Sequence, residues 1–106
     1  MKSKPKHIYI AGKISGLSEE VYTSNFSLAC WMLEIGGYVP VNPVEICKDI
    51  KDGKWEDYMD RCLSVLLKCD GIYLLKDWKD SIGATLEKEV ANALEKVKDF
   101  VIMYQQ

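Results

Sequence analysis

The segment DSIGATLEKEVA, residues 80–91, contains three residue types that suit chemistry on a sugar or phosphate. Glu87 falls in the first turns of a predicted helix, and Ser81 and Gly83 form a small turn just before it. A carboxylate can bind ligand hydroxyls or attack carbon as a nucleophile. A serine hydroxyl and a closely approachable glycine backbone suit a phosphate or a sugar. The segment therefore indicates a candidate ligand site.

An acid near the start of a helix also has a purely structural explanation, because it stabilises the helix dipole by about 0.3–1 kcal/mol. Glu87 has no capping-box partner, because Ala84 occupies the position three residues before it. It also has no basic residue three or four positions away on the helix. These two features favour a site role over the structural one.

The apolar stripe predicted for this helix places Glu87 at its edge. The stripe consists of Leu86, Val90, Ala93, Leu94 and Val97. Because Glu87 borders this stripe, we expect its carboxylate to face the edge of a crevice and not open water.

A second group of candidate residues lies in IYIAGKISG, residues 8–16. Tyr9 alternates with isoleucines in a predicted buried strand, so its hydroxyl needs a partner, either structural or in a site. Gly12 and Gly16 are turn residues whose G-x-x-x-G spacing differs from the dinucleotide-binding fingerprint. Lys13 and Ser15 are placed where they could contact an anion. This loop is therefore a second candidate for substrate binding.

Four further residues complete the candidate set. Asn42 closes the second predicted strand and is a candidate substrate contact. Trp78 lies in the loop before Glu87 and could cover a base. Asp60 and Asp80 are candidates for a second acid, although each alone is also an ordinary solvated or capping residue.

Apolar strands alternate with helices along the chain. Strands are predicted at residues 7–12, 38–41, 70–75 and 100–104, and helices at residues 18–35, 55–69 and 83–97. Continuous apolar strands separated by helices require parallel pairing through right-handed crossovers. The sequence therefore predicts an α/β fold with a doubly wound parallel sheet of about four strands in the order 2-1-3-4. The stretch after the second strand predicts one helical turn and a loop.

In such a sheet, ligands bind beyond the carboxyl ends of the strands, at the point where the winding direction reverses. Here that point lies between the first and third strands. The loops that converge there are residues 12–18 and 76–87. Both candidate segments are therefore expected to meet at one site.

Length and composition limit the class of protein. The chain has 106 residues, so a single domain over residues 1–106 is expected. A net charge of −2 argues against binding to a nucleic-acid polymer or a membrane surface. No apolar run approaches the ~20 residues that span a bilayer, and no signal peptide is visible. These features predict a cytoplasmic location.

The metal-binding residue types are few and scattered. The four cysteines, Cys30, Cys47, Cys62 and Cys69, show no C-x-x-C spacing, and His7 is the single histidine. This pattern predicts reduced thiols and no metal site. No cofactor is predicted.

The segments IYIAGKISG, YVPVNP, CDGIYLLKDW and SIGATLE, in this order, resemble the nucleoside 2-deoxyribosyltransferase-like proteins, in particular their small branch of uncertain function. The resemblance spans nearly the whole chain. It implies a small flavodoxin-like (Rossmann-like) three-layer sandwich and an N-glycosidic substrate, a nucleoside or nucleotide. The similar deoxynucleotide N-hydrolases have a tyrosine and an S-x-G-x-x-x-E segment that correspond to Tyr9, Ser81, Gly83 and Glu87. The resemblance implies that Glu87 attacks the anomeric carbon and that Tyr9 orients the Glu87 carboxylate. It also implies that Ser81 and Gly83 hold the sugar or a 5′-phosphate.

The chain departs from the resembled proteins at two positions. Active relatives carry an acid on the helix before the third strand, where this chain has Cys62. A phosphate-binding relative has an arginine where this chain has Ser15.

Relatives also complete the pocket with a neighbouring subunit, so a homodimer or larger homo-oligomer is expected, with contacts around Trp55 or the C-terminal residues 103–106.

The sequence is compatible with three hypotheses about function. The first is an enzyme that cleaves or transfers at the N-glycosidic bond of a (deoxy)nucleoside or nucleotide. The second is a non-catalytic nucleotide-binding or sensing module of the same fold. The third is cleavage of a nicotinamide–ribose bond, which is also an N-glycoside.

Overall fold

Four short apolar segments pair side by side into one parallel sheet. In the structure, a computed structural model that describes residues 4–106, the strands are β1 (His7–Ala11), β2 (Val39–Val41), β3 (Gly71–Leu74) and β4 (Val101–Tyr104). Their order is β2-β1-β3-β4, and every pair is parallel. The predicted α/β class and strand order are confirmed. Pro40 lies in the edge strand β2, where its missing N–H interrupts no interior ladder.

The helices lie on both faces of this sheet. They are α1 (Glu19–Ile35), α2 (Pro43–Ile46), α3 (Trp55–Leu66) and α4 (Ile82–Val97), with a 3-10 turn at Trp78–Asp80 before α4. Successive side chains of a strand point to opposite faces, so Ile8 and Ile10 pack in the core beneath α1. Tyr9 and Ala11 lie in the core shared with α3 and α4. The result is a three-layer arrangement consistent with a flavodoxin-like fold.

Local side chains set where the helices begin. The Ser18 hydroxyl accepts the Val21 N–H at 3.3 Å and starts α1. The Asn42 side chain accepts the Val44 N–H at 3.0 Å and starts α2, the single helical turn expected after the second strand. Both contacts satisfy N–H groups that have no partner within a helix.

The buried face of α4 differs from the predicted one. It consists of Ala84, Glu87, Ala91 and Leu94, whereas Ala93 is exposed and Val97 is 77% exposed. The predicted stripe is therefore wrong by about one residue, or ~100° around the helix. Small alanines carry little hydrophobic weight in a sequence pattern, but they allow the helix to pack closely on the sheet. Glu87 consequently lies within the buried face and not on its border.

No helix within residues 4–106 is both long and apolar enough to cross a membrane.

Candidate functional site

A pocket of about 640 Å³ lies beyond the carboxyl ends of the strands. Its wall is formed by segments that follow β1, β2 and β3, together with the first turns of α3 and α4. Both loops expected at the switch point contribute to it, because Gly12 and Ser15 follow β1 while Asp80 and Ser81 follow β3.

Glu87 and Tyr9 form a buried pair at the base of this pocket. Tyr9 is 0% exposed and Glu87 is 5% exposed, yet both line the pocket. The Tyr9 hydroxyl donates a hydrogen bond to Oε2 of Glu87. The partner that the Tyr9 hydroxyl requires is therefore the candidate carboxylate, 78 residues away along the chain.

Burial changes the proton affinity of both groups. It raises the pKa of Glu87 from 4.5 to about 7, and the hydrogen bond from Tyr9 offsets part of that rise. Burial and the neighbouring Glu87 raise the pKa of Tyr9 well above 10, so its hydroxyl remains a donor. A carboxyl group that titrates near neutral pH can act as a nucleophile or exchange a proton.

Ser81 and Gly83 both line the pocket, and each also has a structural role. The Ser81 hydroxyl accepts the Ala84 N–H at 3.1 Å and caps α4. A Cβ on Gly83 would lie 3.1 Å from the sulfur of Met59, so a glycine lets α3 and α4 approach. The S-x-G spacing thus sets the start of α4, and with it the position of Glu87.

The loop after β1 divides into residues that line the pocket and residues that do not. Gly12 and Ser15 line it; Lys13 and Gly16 do not. The Lys13 N–H donates to Oδ1 of Asp77 at 3.0 Å, which joins the two loops at the switch point. Gly16 has a φ of +89°, a conformation that favours glycine, so it shapes the turn.

The remaining four candidates lie in four different places. Asp80 is exposed and lines the pocket, whereas Asn42 caps α2 and Trp78 packs on the core beneath α4, both outside the lining. The Trp78 ring has Lys79 Nζ at 5.7 Å from its centroid. Asp60 lies in a separate surface hollow beside Arg61, away from Glu87.

Several lining residues were not among the candidate substrate contacts, although Cys62 was already noted as the residue at the position where active relatives carry an acid. These are mainly aromatic or sulfur-containing side chains: Tyr22, Cys47, Trp55, Tyr58, Met59 and Cys62. Because these residue types are common in protein cores, their identity alone does not indicate a site. The feature of the sequence that could have indicated them is their position near strand ends or in the first turns of the predicted helix at residues 55–69. Burial raises the pKa of Cys62 to about 12, and its sulfur lies 3.5 Å from that of Cys47.

Within residues 4–106, histidine, cysteine, aspartate and glutamate side chains form no group of three or more that could hold a metal ion.

Residues 6–100 match the family described as "Domain of unknown function (DUF4406)". A search of curated proteins found no match to this chain.

Proposed function

We propose that this chain, which belongs to the DUF4406 domain family, acts in the cytoplasm on the N-glycosidic bond of a (deoxy)nucleoside or nucleotide, by cleavage or transfer. The observation that carries this proposal is the buried carboxylate of Glu87, which lines a pocket and accepts a hydrogen bond from Tyr9. The resemblance to nucleoside 2-deoxyribosyltransferase-like proteins supports it, because Tyr9, Ser81, Gly83 and Glu87 occupy the corresponding positions.

In the first step, an ionised oxygen of Glu87 bonds to the anomeric carbon. The carbon–nitrogen bond breaks, and its electron pair leaves with the base. The developing positive charge on the sugar is stabilised by the carboxylate. In the second step, a water oxygen or a nitrogen of a second base bonds to the same carbon, the ester electron pair returns to Glu87, and the proton lost by the water or the second base neutralises the base released in the first step. The test is base release from a panel of nucleosides and nucleotides, followed by chromatography.

Tyr9 is a positioning residue for this carboxylate. Replacing Tyr9 by Phe removes the hydrogen bond that lowers the pKa of Glu87, so that pKa rises further above its value near 7. In wild type, kcat/KM for base release should rise about tenfold per pH unit up to pH ~7 and then level off, since Glu87 must be ionised. Tyr9→Phe should move this midpoint to higher pH and lower the plateau about 10–100-fold.

Tyr73→Phe is the matched control, because Tyr73 is a buried strand tyrosine on the opposite face of the sheet. It should leave the midpoint of the pH profile in place. An unchanged midpoint in Tyr9→Phe would show that this hydroxyl does not tune Glu87.

A non-catalytic nucleotide-binding module is the second candidate function. Cys62 favours it, because this lining thiol, with a pKa raised to about 12, is too weak an acid to protonate a departing base at neutral pH. Nucleotide binding without base release from any member of the panel would support a non-catalytic binding module over an enzyme.

We expect the protein to form a homodimer or larger homo-oligomer that covers the pocket mouth. Two apolar side chains lining the pocket are left exposed in the single chain, Trp55 at 48% and Ile82 at 81%. A second copy packed there would remove them from water. Light scattering should give at least twice the monomer mass; a stable monomer at micromolar concentration would contradict this expectation.

A further inference from the structure

The charge of the pocket lining is negative. Asp80 and Glu87 contribute carboxylates, and the lining within residues 4–106 contains no lysine, arginine or histidine. The nearby candidate cation, Lys13, lies against the turn at Gly16: a Cβ on Gly16 would lie 3.6 Å from Lys13 Cε. An anionic substrate group such as a 5′-phosphate would therefore enter a pocket whose charged side chains repel it.

Aromatic side chains form another part of this lining. Tyr22, Trp55 and Tyr58 line the pocket in addition to the buried Tyr9. The faces of aromatic rings attract cations through their quadrupole, most strongly when water is excluded. Carboxylates and aromatic rings in one pocket favour a flat cationic ligand over a neutral or an anionic one.

The leaving group gives a separate argument. A neutral purine or pyrimidine leaves as an anion unless a proton reaches it while the carbon–nitrogen bond breaks. Cys62 lines the pocket beside Tyr9 and Glu87, but its thiol holds its proton too tightly to supply it at neutral pH. Burial and the neighbouring Glu87 raise the pKa of Tyr9 well above 10, so its hydroxyl does not supply this proton either. A base that carries a fixed positive charge becomes neutral when it accepts the bonding electrons, so it needs no proton.

We infer that the substrate is a nucleoside whose base is a fixed cation, such as a pyridinium or an N-alkylated purine, and whose sugar carries no phosphate. This inference rests on the proposed function. Glu87 bonds to the anomeric carbon, and the electron pair of the carbon–nitrogen bond neutralises the departing base. Water then bonds to the same carbon, Glu87 regains its carboxylate, and the water's proton passes to solvent.

The test, run at pH 6 where N7-methylguanosine keeps its N1 proton and therefore its positive charge, compares guanosine with N7-methylguanosine, and nicotinamide riboside with its 5′-monophosphate. Each enzymatic kcat/KM is divided by the spontaneous rate of hydrolysis, because cationic nucleosides are intrinsically more labile. This corrected kcat/KM should be at least about tenfold higher for N7-methylguanosine than for guanosine. It should also be at least about tenfold higher for nicotinamide riboside than for its 5′-monophosphate. Equal ratios, or a preference for guanosine or for the 5′-monophosphate, would overturn the inference and leave the proposed function standing.

Two further measurements identify the source of the preference. Asp80→Asn should reduce the N7-methylguanosine-to-guanosine ratio several-fold, whereas Asp99→Asn should not change it, because Asp99 is exposed outside the pocket lining. An unchanged ratio in Asp80→Asn would contradict the role of this carboxylate.

Calorimetric titration at pH 8 measures the charge preference without turnover. The 1-methylnicotinamide cation should bind wild-type protein about tenfold more tightly than neutral nicotinamide. Equal affinities would overturn the inference. Tighter binding of the cation, with no base release from any nucleoside or nucleotide, would refute the proposed function while leaving the charge preference established.

Discussion

Glu87→Gln is expected to reduce base release by at least about 1000-fold, because the amide that replaces the carboxylate cannot form the bond to the anomeric carbon. Glutamine has nearly the same shape and retains an oxygen that can accept the Tyr9 hydrogen bond. The fold should therefore survive, and the loss should appear in kcat more than in KM. The measurement is steady-state base release by chromatography at pH 8, where wild-type Glu87 is ionised.

Glu89→Gln is the matched control, since Glu89 lies on the exposed face of the same helix. It should retain wild-type turnover. If Glu87→Gln keeps more than a tenth of wild-type turnover, Glu87 is not the nucleophile, and Asp80 becomes the remaining carboxylate in the described pocket lining.

Although Glu87→Gln should remove activity, it should make the fold more stable than wild type above neutral pH. The folded-state pKa of Glu87 is raised from 4.5 to about 7, so between these values the folded protein binds more protons than the unfolded chain. The free energy of unfolding then falls as pH rises through this window. The loss amounts to about 3 kcal/mol and is complete above pH ~7. Glu87→Gln has no ionisable group at this position and should lack this loss.

Urea denaturation at pH 5 and pH 8 measures this effect. Relative to Glu87→Gln, wild type should lose about 2–3 kcal/mol of unfolding free energy between the two pH values. Subtracting the variant's own pH dependence removes the contribution of the other ionisable groups. If the free energy of unfolding changes equally with pH in the two proteins, the ionisation of Glu87 in the folded state carries no desolvation cost and its pKa is not raised.

An active protein that is more stable without its nucleophile would fit a general trade-off. A carboxylate that must be desolvated to react destabilises the fold that buries it. In this chain the hydrogen bond from Tyr9 reduces that cost without removing it, because burial remains the larger effect on the pKa of Glu87.

The sequence by itself determined the sheet and the place of the pocket. Four apolar segments separated by helical segments have one economical arrangement, a parallel sheet with right-handed crossovers, and the observed order β2-β1-β3-β4 agrees with it. The loops after β1 and β3 must then meet, because parallel strands end at the same edge. Gly12, Ser15, Asp80 and Ser81 therefore lie in one pocket, as their positions along the chain predict.

The residue pattern did not determine which side chains reach each other in that pocket; the family resemblance implied that Tyr9 orients Glu87, and the tertiary structure shows how the two meet. The pairing of Tyr9 with Glu87 depends on the rotation of α4, which the close packing of Ala84 and Ala91 on the sheet fixes. A hydrophobic pattern gives alanine little weight, so it placed the buried face about one residue away. The contributions of Cys47 and Tyr58 depend on how α2 and α3 pack over the strand ends. The pKa of Glu87 depends on burial, which arises from all these contacts together and from no local segment of the sequence.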